Sequence, residues 1–125
     1  MSLRALTPML RTPELAATVD FYTQSLDFHL SAGDVAGGWA LLARDGVELM
    51  LSGLNTHEGD GAPAFTGSLY LRTDDVDGWW ARLRDRARVC YPIEDFAYGM
   101  REFAIYDNNG YLLQFGQPIA AFDPA

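Results

Sequence analysis

The sequence predicts an α+β fold of two tandem βαβββ modules forming a curved mixed sheet with a ligand-sized concavity. Three observations lead there. The chain has 125 residues, the size of one domain. Two segments, beginning at Leu15 and at Val76, carry apolar residues at the same i, i+4, i+7 and i+11 spacing. Each segment is followed by short apolar runs closed by a turn pair, Asp45-Gly46 in the first half and Asn109-Gly110 in the second. Residues 1–125 therefore form a single domain, with module 1 at about 3–52, a linker at about 53–66 and module 2 at about 67–117.

In chain order, Leu3 to Arg11 reads as a strand. Thr12-Pro13-Glu14 opens a helix with Thr12 as N-cap, Pro13 at the first helical position and an acid in the first turn, and Leu15, Val19, Tyr22 and Leu26 form its apolar stripe. Phe28 to Ala32, Trp39 to Arg44 and Val47 to Ser52 are strands separated by Gly33, Gly37-Gly38 and the Asp45-Gly46 hairpin. Gly53 to Gly67 is a polar connector, and Gly59-Asp60-Gly61 within it supplies loop glycines only.

The second module repeats the plan. Gly67 to Thr73 alternates as a strand, and Asp74-Asp75 opens a helix with Val76, Trp80, Leu83 and Ala87 on one face. Arg82, Arg84, Arg86 and Arg88 crowd its C-terminal end, where they complement the helix dipole. Arg88 to Phe96, Met100 to Tyr106 and Tyr111 to Gly116 are the remaining strands. A lone βαβββ sheet has one face under its helix and the other bare, so two modules enclosing a shared concavity is the economical solution, and a ligand belongs there.

Composition narrows the chemistry. Nine basic residues against 17 acidic ones give a net charge of −8, the wrong sign for binding nucleic acid or an anionic membrane. All nine basic residues are Arg, so a lysine Schiff base, a phosphate-loop lysine and a lysine general base are excluded. No apolar run approaches the roughly 20 residues that span a bilayer. Cys90, the one cysteine, cannot form an intrachain disulfide and reads as a buried, inert thiol. The N-terminus lacks the pattern of a signal peptide, and a cytoplasmic location is expected.

Two stretches carry a family resemblance. Pro13 to Phe28 contains the words Val19-Asp20-Phe21-Tyr22 and Leu26-Asp27-Phe28. Tyr98-Gly99-Met100-Arg101-Glu102-Phe103 precedes Asp107-Asn108-Asn109-Gly110-Tyr111-Leu112-Leu113-Gln114-Phe115-Gly116. In these the chain resembles the vicinal oxygen chelate superfamily of glyoxalase I, extradiol dioxygenases, fosfomycin-modifying enzymes and bleomycin-resistance proteins, and most closely the bleomycin-resistance branch. The resemblance implies metal-ligand positions at Thr7, Met50, Ser68 and Gln114. A divalent transition metal wants imidazole, carboxylate or thiolate at about 2.0–2.3 Å, and only Gln114 matches the family pattern. No metal and no cofactor are therefore expected.

Pleat geometry places the other candidates. Along Val47 to Ser52, Val47, Leu49 and Leu51 point to the helix, leaving Glu48, Met50 and Ser52 to face the concavity with Thr7, Met9, Arg11, Ser68, Tyr70 and Arg72. Glu48 there is either the charge that meets a cationic ligand or the partner of Arg11 or Arg72. Trp39, Tyr70, Phe96 and Tyr98 are candidate stacking walls, Tyr98 foremost because the resemblance implies an aromatic at its place. Glu94 and Asp95 point to opposite faces, and together with Glu102 they read as a solvated acidic edge. His29 and His57 lie outside the implied ligand positions and read as a strand-edge and a loop residue.

The expected ligand-binding set is thus Thr7, Met9, Trp39, Glu48, Met50, Ser68, Tyr70, Tyr98 and Gln114, with no catalytic residues and no metal ligands. The resemblance implies a metal-free antibiotic-resistance protein that sequesters a cationic or aromatic compound, the alternative being a metal-dependent glyoxalase-like lyase, isomerase or dioxygenase with an atypical ligand set. A small-molecule ligand and a second copy in a homodimer are the expected partners, with no nucleic acid and no membrane.

Overall fold

Both helices form between the first and second strands of their repeat, although the second ends at Leu83 and leaves Ala87, expected on its stripe, beyond it. A computed structural model describes residues 1–55, 57 and 61–119. Its chain divides into two compact units, Met1–Pro63 and Ala64–Ala125, each with the order βαβββ. Gly59 and Asp60, within the expected connector, lie outside the described residues.

The first unit contains β1 (Met9–Arg11), α1 (Leu15–Asp20) continued by a π-helical turn (Phe21–Ser25), β2 (His29–Asp34), β3 (Trp39–Arg44) and β4 (Val47–Ser52). The sheet order is β1-β4-β3-β2, with β1 parallel to β4 and the other neighbours antiparallel. Leu10, Ala40, Leu42, Leu49 and Leu51 are buried on the helix side, where Leu15, Tyr22 and Leu26 complete the core. Asp45 and Gly46 both adopt positive φ, 50° and 81°, as a two-residue hairpin of primed type requires.

Several boundaries differ from expectation, each for a local reason. The first strand covers Met9–Arg11 rather than Leu3 to Arg11, because Pro8 can offer its carbonyl to Met50 N but has no N–H with which to extend the ladder. Glu14, not Thr12, precedes the first helical residue. The Thr12 hydroxyl instead accepts from Glu14 N at 3.0 Å and shares a hydrogen bond with the Thr18 hydroxyl, which donates to Glu14 O at 2.8 Å. That bracket buries Thr18 in the stripe and leaves Val19 half-buried. The helix closes with Asp27 at φ 58° and Phe28 N donating to Tyr22 O, a six-residue closure that satisfies an end carbonyl. Val47 is 41% exposed beside the hairpin turn, so only Leu49 and Leu51 of the expected trio reach the helix.

The second unit contains β5 (Leu69–Arg72), α2 (Val76–Leu83), β6 (Arg88–Asp95), β7 (Met100–Tyr106) and β8 (Leu112–Pro118), in the sheet order β5-β8-β7-β6 with β5 parallel to β8. Asp75 caps α2 by accepting from Gly78 N at 3.1 Å. Trp79 and Trp80 pack on Phe115 and Phe103, whose own rings stack at 5.0 Å, so one sheet face is sealed by aromatic rings. Arg84 lies over the Trp80 ring, whereas Arg88 belongs to β6 and sits 4.2 Å from the Tyr106 ring centroid.

Asn109-Gly110 is not a two-residue turn like Asp45-Gly46. Asp107 N donates to Tyr111 O, and the Asp107 carboxylate accepts from the backbone N–H of Asn109 and of Tyr111. Only Gly110 takes positive φ there, and Tyr111 falls in the loop. The register of β6 on β7 shifts between Val89 and Tyr91, and Cys90 at that irregularity is exposed, contrary to the buried thiol expected.

Candidate functional site

Within each unit, strand register determines which candidates share a face. In the first unit Met9 pairs with Met50, Leu41 with Met50, Ala43 with Glu48 and Trp39 with Ser52. Met9, Trp39, Glu48 and Met50 therefore lie on the sheet face opposite α1, as the pleat predicts. Glu48 and Trp39 mark its two ends, about 13 Å apart along β4 at 3.3 Å per residue. Met9 is 44% exposed, and Glu48 is exposed. Thr7 is half-buried in the segment before β1, and the Trp39 ring lies where a side chain on Gly33 would be.

The second unit draws its candidates closer together. Tyr70 pairs with Gln114, Ala104 with Gln114, Glu102 with Gly116 and Tyr91 with Ala104, which sets Tyr70, Tyr91, Glu102 and Gln114 on the face opposite α2. A continuous hydrogen-bond chain joins them. The Ser68 hydroxyl donates to Gln114 Oε1 at 2.5 Å, Gln114 Nε2 donates to the Tyr91 hydroxyl at 2.9 Å, and that hydroxyl donates to Glu102 Oε2. From the other side the Tyr70 hydroxyl donates to Glu102 Oε1 at 3.0 Å.

Glu102 is 1% exposed, so the solvated acidic edge expected for it is wrong. The reason is its place in β7, which runs through the middle of the sheet between β8 and β6. A buried carboxylate must be hydrogen-bonded, and the phenols meet that need. Asp95 instead pairs with Arg101 at 3.1 Å, and Arg101 also reaches Asp77 at 3.0 Å; with Gln117, Pro118 and Ile119 these residues line a separate open depression of about 320 Å³.

The phenols register the carboxylate. Burial first, then the hydrogen bond to Glu102 and its charge, push Tyr70 up to about 12 against a lowering by Arg72. Burial and Glu102 likewise push Tyr91 up to about 12, partly offset by the Gln114 hydrogen bond. Tyr98 is raised above the ordinary phenol range, first by burial and then by the nearby Glu102 carboxylate. Tyr98 stacks on Phe96 at 5.4 Å and 12°, and Phe96 meets Tyr91 edge-on at 5.6 Å. A ring wall therefore stands beside the buried charge.

Ser68, Tyr70, Tyr98 and Gln114 thus share one assembly, whereas Thr7, Met9, Trp39, Glu48 and Met50 belong to the other unit. Sequence reasoning missed Tyr91 and Glu102. The available signal was a lone carboxylate at the centre of the apolar strand Met100–Tyr106, two residues from Ala104 and on its face.

The family-implied metal does not fit these residues. Thr7, Met50 and Ser68 are poor donors, and Gln114 Oε1 and Nε2 are engaged by Ser68 and Tyr91. No group of three or more His, Cys, Asp or Glu suited to a metal ion occurs among the described residues. Nor is any helix among them long and apolar enough to cross a membrane.

A family model, the Glyoxalase/Bleomycin resistance protein/Dioxygenase superfamily, matches residues 4–115. No curated protein matches the sequence. Among solved structures, TnmS3, an antibiotic binding protein from Streptomyces sp. CB03234, is 27% identical at a TM-score of 0.76, covering 95% of this chain and 99% of its own. A bleomycin resistance determinant encoded on the transposon Tn5 is 25% identical at 0.73, covering 93% and 98%. At 22% identity and 0.68, covering 92% and 96%, a bleomycin-binding protein from Streptomyces verticillus in complex with copper(II)-bleomycin shares the fold.

Proposed function

The chain belongs to the Glyoxalase/Bleomycin resistance protein/Dioxygenase superfamily, and from that premise we propose that it is a small-molecule binding protein of the resistance type, which sequesters a cationic or aromatic compound without metal or catalysis. The observation that carries this reading is the Tyr70–Tyr91–Glu102–Gln114 assembly, in which polar side chains of the kind that serve a metal or a reaction are committed to one another. The likeness to TnmS3 and to the Tn5 determinant supports an antibiotic as ligand. The proposed ligand contacts are Thr7, Met9, Trp39, Glu48 and Met50 from the first unit and Ser68, Tyr70, Tyr98 and Gln114 from the second. Methionines and rings supply adaptable apolar contact there, and Glu48 supplies charge. A homodimer working in the cytoplasm belongs to the same reading.

A thermal-shift screen of glycopeptide and aromatic antibiotics tests it, since a ligand that binds only the folded state raises the melting temperature. A rise that saturates with concentration, together with unchanged compound after incubation, is the expected result. Chemical conversion of the compound would overturn sequestration in favour of an enzyme.

A further inference from the structure

Strand register lays out the face of the first unit opposite α1 as three rows. Arg11 pairs with Ser52 and Ser52 with Trp39; Met9 pairs with Met50 and Met50 with Leu41; Glu48 pairs with Ala43 and Ala43 with His29. An apolar middle row thus separates two polar ends. Leu10, Leu49 and Leu51, which alternate with these residues, are buried on the helix side, so Arg11 and Glu48 share the opposite face. Counted along β4 from Ser52 to Glu48, their rows lie about 13 Å apart at 3.3 Å per residue. The other charged groups of these strands point elsewhere or lie at the far edge. Arg44 is turned to the helix side by Leu26 O and Asp27, and the Asp34 carboxylate accepts from Gly37 N beyond Trp39. At the Arg11 end, donors dominate. A guanidinium carries five N–H donors, and the Ala62 carbonyl meets Arg11 Nη2 at 3.5 Å, the long limit of a hydrogen bond. Beside it, Ser52 Oγ is buried with no hydrogen-bond partner among the described residues. The Trp39 ring leans over Gly33, on the other side of β3 from them.

We infer that this face is a two-ended subsite, in which Arg11 takes a carboxylate and Glu48 a protonated amine at the two ends of one flat, elongated zwitterion whose rings lie on Met9, Met50 and Leu41. This inference rests on the reading of the chain as a small-molecule binder and narrows its ligand. The guanidinium fork matches the two oxygens of a carboxylate, and the Ser52 hydroxyl has a proton to place in the same row. At the other end the exposed Glu48 carboxylate offers an ammonium a charge-assisted hydrogen bond. Ordinary salt screens exposed charges over about 8 Å, which is less than the separation of the rows. The two ends therefore do not cancel, and each acts on the part of the ligand nearest to it. Between them the flexible thioethers of Met9 and Met50 fit themselves to a ring. Once one end of a ligand is held, contact at the other is intramolecular, so a molecule long enough to reach both gains over one that reaches a single end.

The experiment titrates four probes at pH 7 into the whole chain while the methyl NMR signals of Met9 and Met50 are followed. The first is a biphenyl with an aminomethyl group at one para end and a carboxylate at the other; the controls are its methyl ester, the biphenyl carboxylate without the amine, and the one-ring para-aminomethylbenzoate. The biphenyl zwitterion is expected to shift both signals with an affinity at least tenfold above that of each control. Arg11→Gln should bring the zwitterion to within threefold of the ester and leave the ester unchanged. Glu48→Gln should bring it to within threefold of the biphenyl carboxylate and leave that acid no weaker. A merely structural role for either residue would not give this crossed pattern. Arg11→Lys keeps the charge but loses the fork; it should weaken the zwitterion about threefold and leave the ester unchanged, and it serves if Arg11→Gln fails to fold. A zwitterion no tighter than its ester, an Arg11→Gln effect that falls equally on zwitterion and ester, or no binding of any probe would each overturn the inference. If an antibiotic still stabilises the chain while no probe moves the methionine signals, the sequestration reading stands and this assignment of the face falls.

Discussion

The Tyr70 hydroxyl occupies the space into which a Cβ on Gly116 would project. Gly116 pairs with Glu102 on one side and Arg72 on the other, and the phenol leans over the bare glycine to reach Glu102. Gly116→Ala should displace the ring, break its hydrogen bond to Glu102 and destabilise the fold by about 1–3 kcal/mol, as overpacking does. Denaturant unfolding measures this. In a double-mutant cycle Tyr70→Ala should relieve part of the loss, giving an interaction energy well outside additivity.

Alkaline pH should unfold the second unit through its tyrosines. Tyr70 and Tyr91 hold their protons to about 12 in the folded chain, against 10.0 for an ordinary phenol. Between these values the unfolded chain has lost protons that the folded chain keeps. Their contribution to stability is therefore complete below pH 10 and is lost as pH rises through 12. Phenolate absorbance should show late-titrating tyrosines, and Glu102→Gln should move them earlier while leaving the part due to burial.

For a cationic aromatic antibiotic found in the screen, Glu48→Gln should weaken binding by about 1–3 kcal/mol if Glu48 meets its charge. Tyr98→Ala should cost a similar amount, by the roughly 0.5–1.5 kcal/mol of a ring pair plus lost apolar burial. Calorimetry at two salt concentrations checks both, because Glu48→Gln should also flatten the salt dependence. Unchanged affinity in both folded variants would remove these residues from the site.

Metal content gives an independent test. Purified protein should hold well under one equivalent of zinc, iron, manganese or nickel, and chelators should leave its melting temperature unchanged. Stoichiometric metal by plasma emission spectroscopy would overturn the metal-free reading and promote Glu48 and Gln114 as candidate ligands.

Light scattering should report a homodimer at micromolar concentration. Leu3, Leu6, Leu30, Val35 and Phe65 are exposed apolar residues that association would cover, and a symmetric pair also protects edge strands. A monomer would contradict this expectation.

The βαβββ order was legible in the sequence because helix spacing and turn residues are local signals. The strands Trp39–Arg44 and Val47–Ser52 begin and end where the pattern puts them, since Asp45-Gly46 leaves one way to turn. Thr12 misled because its hydroxyl serves a bracket to Thr18 that no capping pattern encodes. Glu102 misled more deeply. Nothing adjacent to it announces Tyr70, 32 residues away, or the parallel pairing that sets Tyr70 beside Gln114 and within reach of Glu102. Burial of a charge is a property of tertiary neighbours, and a pattern read along one strand cannot supply them.

The parallel pairing of β5 with β8 also predicts an order of assembly. The β6–β7–β8 meander closes through short turns, whereas β5 has only β8 as a sheet neighbour, and Ser68 lies 46 residues from Gln114. Closing that long loop costs chain entropy that local hairpins do not, so β5 is expected to dock after the meander has formed. Until it does, Glu102 lacks the phenol of Tyr70 and one side of its sheet face stands open to water. On this expectation the last strand to arrive brings the lid of its own polar centre, and an unfinished second unit would present a carboxylate where the native one presents a ring.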